Sequence, residues 1–149
     1  MRLWRISNYA DLNGTGGIAN SARWHSRGHA IVYSAENAPG ALLERLVHLE
    51  IDPGDLPSTY QLLAVDIPDN LAFETIDPQI LPADWRYNDS ATRKIGDDWL
   101  KAGRTALLRV PSAITPHTFN WLLNPGHKEA AAAKIAEVIS APFDQRLFR

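Results

Sequence analysis

The sequence predicts a single α+β domain, on three observations. Runs rich in β-branched and aromatic residues alternate with runs of helical periodicity, without the strict strand–helix–strand order of a doubly wound sheet. At 149 residues the chain is long enough to bury about two thirds of the surface its unfolded form would expose. A hydrophobic share of 45% and a charged share of 21% are those of an ordinary globular domain. The expected architecture is a mixed β-sheet core with flanking helices.

In chain order, Met1 to Ile6 reads as a short strand, and Asn8 to Asn20, rich in Gly, Asn and Asp, as a loop. Ala22 to His25 is expected to begin a second strand and Ala30 to Ser34 a third, with Arg27-Gly28 turning between them. Pro39 suits the first turn of a helix, where its missing N–H would have had no partner. From Gly40 the spacing puts Leu42, Leu43, Leu46, Val47 and Leu49 on one apolar arc, with Glu44 at its edge and Arg45 and His48 projecting away. Asp52-Pro53-Gly54-Asp55 ends that helix, and Tyr60 to Ile67 alternates as a strand.

Asp69 to Asn88, punctuated by Pro78 and Pro82, is the least regular stretch. Ser90 to Ala102 reads as a helix capped by Asp89 or Ser90, with Gly103 at the position that favours a left-handed conformation. Thr105 to Ile114 is a predicted strand carrying Ser112. After the turn Asn124-Pro125-Gly126, the alanine-rich run predicts a helix over His127 to Val138, followed by an extended tail ending Arg146-Leu147-Phe148-Arg149.

Several function classes are disfavoured. The chain has no cysteine, so disulfides, thiolate nucleophiles and Cys-type zinc sites are excluded. Net charge is −2 with scattered Lys and Arg, which argues against a duplex nucleic-acid partner. No run approaches the roughly 20 apolar residues of a membrane span, and the start lacks a signal-peptide core, so a cytoplasmic location is expected. Gly14-Thr15-Gly16-Gly17-Ile18-Ala19 matches a dinucleotide-binding spacing, but neither a buried strand leading in nor a helix leading out is expected around it. The five histidines lack metal-ligand spacing, Ser112 lacks a nucleophile elbow, and the five tryptophans read as core or interface anchors.

Several separated motifs nevertheless stand in one order: Leu3-Trp4-Arg5-Ile6, Gly14-Thr15-Gly16-Gly17, Arg23-Trp24-His25, Tyr33-Ser34-Ala35, Ala41-Leu42-Leu43-Glu44, Val110-Pro111-Ser112-Ala113, Asn120 to Pro125 and Phe143 to Phe148. Together they resemble the RES family, which takes its name from an arginine, a glutamate and a serine. Carried over, these are Arg23, Glu44 and Ser112, with Tyr33 as the family's tyrosine; Trp121 departs from the commoner tyrosine. The resemblance implies a fold related to ADP-ribosyltransferase toxins and NAD⁺ as substrate, with no prosthetic group and no metal. It also implies a bacterial toxin neutralised by an Xre-like antitoxin that covers the active site. A homodimer is a further partner expectation.

Breaking the nicotinamide–ribose bond leaves positive charge on the ribose, so a site must hold the ends of NAD⁺ and stabilise that charge. Arg23 offers a planar fork to the pyrophosphate, with Arg5 as a second phosphate contact or simply a surface ion pair. Tyr33 offers a ring to stack on nicotinamide and a hydroxyl to orient it. Glu44 supplies the carboxylate, and Ser112 and Asn120 add polar contacts. Without the resemblance, Tyr33 reads as a core aromatic, Glu44 as a solvated helix residue facing His48, and Ser112 as a turn residue. Three functions follow: NAD⁺ degradation by hydrolysis or phosphorolysis, transfer of ADP-ribose to a protein, or a non-catalytic antitoxin-binding module.

Overall fold

A computed structural model describes residues 1–49 and 52–148. Seven strands and three helices follow in the order β1 (Arg2–Ile6), α1 (Thr15–Ala19), β2 (Val32–Ala35), α2 (Ala38–Val47), β3 (Thr59–Asp66), β4 (Phe73–Thr75), α3 (Ser90–Ala102), β5 (Leu107–Pro111), β6 (Phe119–Leu123) and β7 (Lys134–Pro142). They form one mixed seven-stranded sheet, ordered β4-β5-β6-β2-β1-β3-β7, in which only β4 and β5 run parallel. This is the expected α+β class.

The sheet is two ladders joined at a seam. β1 pairs with β3 over five residues, but with β2 only at Trp4 opposite Ala35. Because side chains alternate along a strand, register assigns each to a face. Leu3, Val32, Leu63, Val65, Leu107, Trp121 and Leu123 point to one face and pack as one core. Tyr33, Leu108, Val110 and Leu122 point to the other, where Trp24, Trp85 and Trp99 join them. Helix α2 lies across the seam on this second face, with Gly40 directly above Ala35. Leu63, Leu108 and Leu122 are each no more than 1% exposed, so trimming any of them to Ala costs about 2–5 kcal/mol.

Helix α3 has the bounds its sequence predicts. Asp89 precedes it without capping it, since its carboxylate accepts from Arg93 Nη2 at 2.8 Å, and Gly103 closes it at φ 60°. One stripe of α3 holds the segment before β2. Thr92 Oγ1 donates to the Arg23 carbonyl at 2.6 Å, Arg93 Nε to the Ala22 carbonyl at 2.9 Å, and Ser26 N–H and Oγ donate to Asp97 at 2.8 and 2.6 Å. Burial opposes ionisation of Asp97, yet these two bonds from Ser26 hold its carboxyl below the usual range. Helix α2 is capped by Asn37, whose Oδ1 accepts from Gly40 N–H at 2.7 Å, with Pro39 in the first turn.

Five expectations are corrected. Ala22 to His25 is not a strand but a tight turn, closed by Ala22 N–H to the His25 carbonyl at 3.0 Å; docking on α3 removes it from the sheet. The glycine-rich loop contains α1, and its glycines are there for close packing. Gly14 sits at φ 70°, and a Cβ there would fall 2.6 Å from the Ile31 nitrogen. The strand bearing Ser112 stops at Pro111, one residue before it. The helix expected over His127 to Val138 is a 3-10 turn, Ala130–Ala132, followed by β7, because eight register pairs with β3 outweigh the helix preference of alanine. The extended tail is another 3-10 turn, Gln145–Phe148.

The apolar arc of α2 also differs from expectation. Only Ala41 is buried, Leu42 and Leu46 are half-buried, and Leu43 and Val47 are 37% and 53% exposed. The helix ends at Val47, ahead of Asp52, and Glu50, Ile51 and Arg149 lie outside the described residues. No helix of the described residues is long and apolar enough to cross a membrane.

A methyl group at Gly96 would fall on the Trp24 carbonyl, where α3 meets the Ala22–His25 turn. Gly96→Ala is expected to cost about 1–3 kcal/mol by overpacking, read as a lower urea midpoint at unchanged slope.

Candidate functional site

Glu44 is the centre of the convergence. Position 44 on α2 turns its side chain across the sheet edge toward β6 and the end of β5. Its Oε1 accepts from Asn120 Nδ2 at 2.8 Å and from Ser112 Oγ at 3.2 Å. Both partners lie on the α2-bearing face, Asn120 opposite Ala35 and Ser112 two residues beyond Val110. Ser112, 4% exposed, is itself fixed: its Oγ accepts from the N–H groups of Ile114 and Thr115 at 3.1 and 3.3 Å. The second oxygen, Oε2, has no hydrogen-bond partner among the described residues. One oxygen anchors the carboxylate and the other is uncommitted among the described residues.

Tyr33 stands on the same face, one pair along β2 from Ala35. Its hydroxyl accepts from Trp24 N–H at 3.2 Å and lies 2.7 Å from His25 Nδ1. Burial is the main force raising its pKa above the ordinary phenol value of 10.0; the Trp24 amide and the charges of Arg93 and Arg23 work against it. The phenol is therefore neutral throughout the physiological range.

Arg23 is half-buried at the rim. Its Nη1 and Nη2 donate to the carbonyls of Trp85 and Arg86 at 2.9 and 3.1 Å, and its Cζ lies 5.9 Å from the Trp85 ring centroid. Arg86 stacks on the same ring at 4.7 Å. Two of the five Arg23 donors are thus committed to holding the 85–86 segment, and three have no partner among the described residues. Arg23 and Arg86 thus both lie against Trp85, while Arg93 is paired with Asp89 at 2.8 Å.

Arg5 is not brought to this cluster. Alternation along β1 places it with Leu3, on the opposite face. Its Nη1 donates to the Tyr33 carbonyl at 2.7 Å, reaching across the seam, and its Nε is buried without a partner. Burial lowers its pKa and Asp11 opposes the shift. Trp121 also points into the opposite core, so the departure at that position does not touch the site. Sequence reasoning missed His25, Thr92 and the carbonyls of residues 85 and 86. His25 had a signal, since it adjoins the Arg23-Trp24 pair, but the carbonyls carry no side-chain signature.

Among the described residues no group of three or more His, Asp or Glu side chains is arranged to hold a metal ion. Two concavities of the surface, of about 380 and 650 Å³, lie elsewhere, one beside Leu100 and Gly103 and the other beside Arg2 and Asp66. The site is defined by converging chemistry rather than by depth.

The raised value at Tyr33 fixes a sign. A group whose folded-state pKa lies above its unfolded value contributes stability that is complete below about pH 10 and is lost as pH rises through the folded value. Urea midpoints are expected to fall more steeply above pH 10 in the wild type than in Tyr33→Phe.

The chain can now be set beside known proteins. A family model described as RES domain matches residues 2–144. A protein of Pseudomonas putida named Toxin Res is 49% identical over 148 residues, covering 99% of this chain and 100% of its own length. One of Sphingobium sp. strain YBL2, named Prs ADP-ribosylating toxin, is 36% identical over 156 residues, covering 98% and 96%. In fold, the chain resembles the crystal structure of the M. tuberculosis MbcT-MbcA toxin-antitoxin complex with a TM-score of 0.77 at 17% identity, over 98% of this chain and 85% of the matched one. On a motif order that runs from Arg5 to Phe148 and a family match spanning nearly the whole sequence, the chain belongs to the RES domain family.

Proposed function

We propose that this protein is the toxin of a toxin–antitoxin pair and that it acts by cleaving the nicotinamide–ribose bond of NAD⁺ in the cytoplasm, with water or inorganic phosphate as acceptor. The observation that carries the reading is Glu44: a carboxylate anchored through Oε1 by Ser112 and Asn120, with Oε2 free among the described residues, on one sheet face with Tyr33, while Arg23 lies against Trp85 of the core on that face. Expulsion of nicotinamide leaves an oxocarbenium-like ribose, and a preorganised carboxylate stabilises that charge where it develops. Oε2 is placed to accept from a ribose hydroxyl. The Tyr33 ring stacks on nicotinamide, and the three free donors of Arg23 bind the pyrophosphate. Arg5 serves the seam instead of the substrate.

A second reading is transfer of ADP-ribose to a protein, which the name of the Sphingobium relative favours. The groups that expel nicotinamide are the same in both, so the acceptor decides between them. The partner we propose is an Xre-like antitoxin that covers Glu44. The exposed Leu43 and Val47 on the same helix supply apolar surface for such a contact.

Proton NMR of NAD⁺ incubated with the purified protein, freed of antitoxin, tests the reading. Nicotinamide is expected to appear together with ADP-ribose or its 1″-phosphate; a labelled protein in cell extract and no free product would select the second reading. Unchanged NAD⁺ with a folded protein, even with cell extract added, would refute both and leave a non-catalytic binding module. Glu44→Gln is expected to lower kcat by about 10²–10³ with KM little altered, because the lost interaction belongs to the transition state. Arg23→Ala is expected to raise KM in steady-state assays, because the pyrophosphate is bound equally in both states. Circular dichroism should show both variants folded.

A further inference from the structure

His25 is a buried titratable group that the proposed chemistry leaves unused. It is 2% exposed, and its Nε2 lies 2.8 Å from the Asn20 carbonyl and 3.1 Å from the Gly17 carbonyl. Carbonyl oxygens only accept, so Nε2 carries the hydrogen, and Nδ1 of the neutral ring is an acceptor. Nδ1 faces the Tyr33 hydroxyl at 2.7 Å. That hydroxyl therefore donates to His25, while its oxygen already accepts from Trp24 N–H. A phenol has one hydrogen to give. Once it is turned inward, Tyr33 has a ring face and one lone pair left for a ligand.

We infer that His25 is a positioning residue that turns the Tyr33 hydroxyl hydrogen into the protein, so that Tyr33 meets its ligand as a hydrogen-bond acceptor selecting the N–H of a carboxamide. The inference rests on the NAD⁺ reading of this site. A nicotinamide carboxamide has N–H to offer, whereas an acetyl group in its place offers only another acceptor. The surroundings hold the ring in this orientation. Gly17 lets its own carbonyl approach, since a Cβ there would press on the His29 carbonyl and come within 3.1 Å of His25 Nε2. The charged and titratable groups around the pair are Arg23, Arg93, Asp97 and His29.

Two measurements test this. Nitrogen-15 NMR of the histidine side chains in the folded wild type, assigned by difference with His25→Asn, is expected to show the Nε2-protonated tautomer at neutral pH. The Nδ1-protonated form would overturn the inference. Dissociation constants for NAD⁺ and its 3-acetylpyridine analogue, measured in a Glu44→Gln background that suppresses turnover, are expected to favour NAD⁺ by about tenfold, the effect of one hydrogen bond. His25→Gln keeps a donor for the two carbonyls but loses the acceptor at the Nδ1 position, and should abolish the preference. His25→Asn keeps that acceptor and should retain it. An unchanged preference in His25→Gln, or equal loss in both variants, would overturn the role. Failure of both dinucleotides to bind beside the expected tautomer would overturn the carboxamide selection and the NAD⁺ reading while leaving the hydroxyl direction established.

Discussion

The structure turns on a seam. Two ladders meet at Trp4 opposite Ala35, and one residue pair is too little to fix the angle between them. What fixes it is packing from above and a donor from within. β2 ends at Ala35 and α2 begins at Ala38, so the helix has no room to settle anywhere but over the junction. Arg5 reaches from β1 to the Tyr33 carbonyl and ties the strands on the side where they no longer pair. Glu44 inherits its place from this arrangement, four residues along the helix from Gly40, which sits over Ala35. Ser112 and Asn120 meet it because β5 ends and β6 begins at the same level of the sheet, Pro111 opposite Phe119.

Hydrogen-bond capacity divides the labour among the polar residues. Each spends part of its valence on the scaffold and keeps part back. Glu44 commits one oxygen, Arg23 two of its donors, and Tyr33 its single hydrogen. Such half-committed groups are held rigid without being saturated, which is the condition for stabilising developing charge without reorganisation. Arg5 shows the opposite allocation: it is taken up by the fold.

Much of the fold was legible in the sequence where a local signal agreed with tertiary demand. Helix α3 was, because its amphipathic period, its start at Ser90 and Gly103 at its end point the same way. β7 was not. The alanines at 130–133 speak for a helix, and only the distant partner β3, pairing from Thr59 to Asp66, shows why the chain extends. The arc of leucines on α2 was real as a pattern but misread as core. A helix laid over a seam buries a narrow stripe, and the exposed Leu43 and Val47 are the remainder. At the site, family motifs brought out Arg23, Tyr33, Glu44 and Ser112. The bonds each of them makes, Glu44 with Ser112 and Asn120, Tyr33 with Trp24 and His25, and Arg23 with the carbonyls of residues 85 and 86, depend on strand register and on backbone groups, neither of which a residue pattern displays. Arg5 shared a motif with the site and lies on the other face, because a single step along a strand reverses the side chain.

The strand order carries a consequence for synthesis. β3 lies between β1, its predecessor by more than fifty residues, and β7, which begins at Lys134. The ladder containing β1 therefore cannot close while the chain is still emerging, and each of its long loops must be paid for in entropy before any pairing rewards it. A growing polypeptide holds the residues of the seam long before it holds the seam. The ladder of β1, β3 and β7 is thus completed only after Pro142 has been made, whereas β2, β5 and β6, whose side of the sheet supplies the partners of Glu44, can pair once Leu123 has emerged.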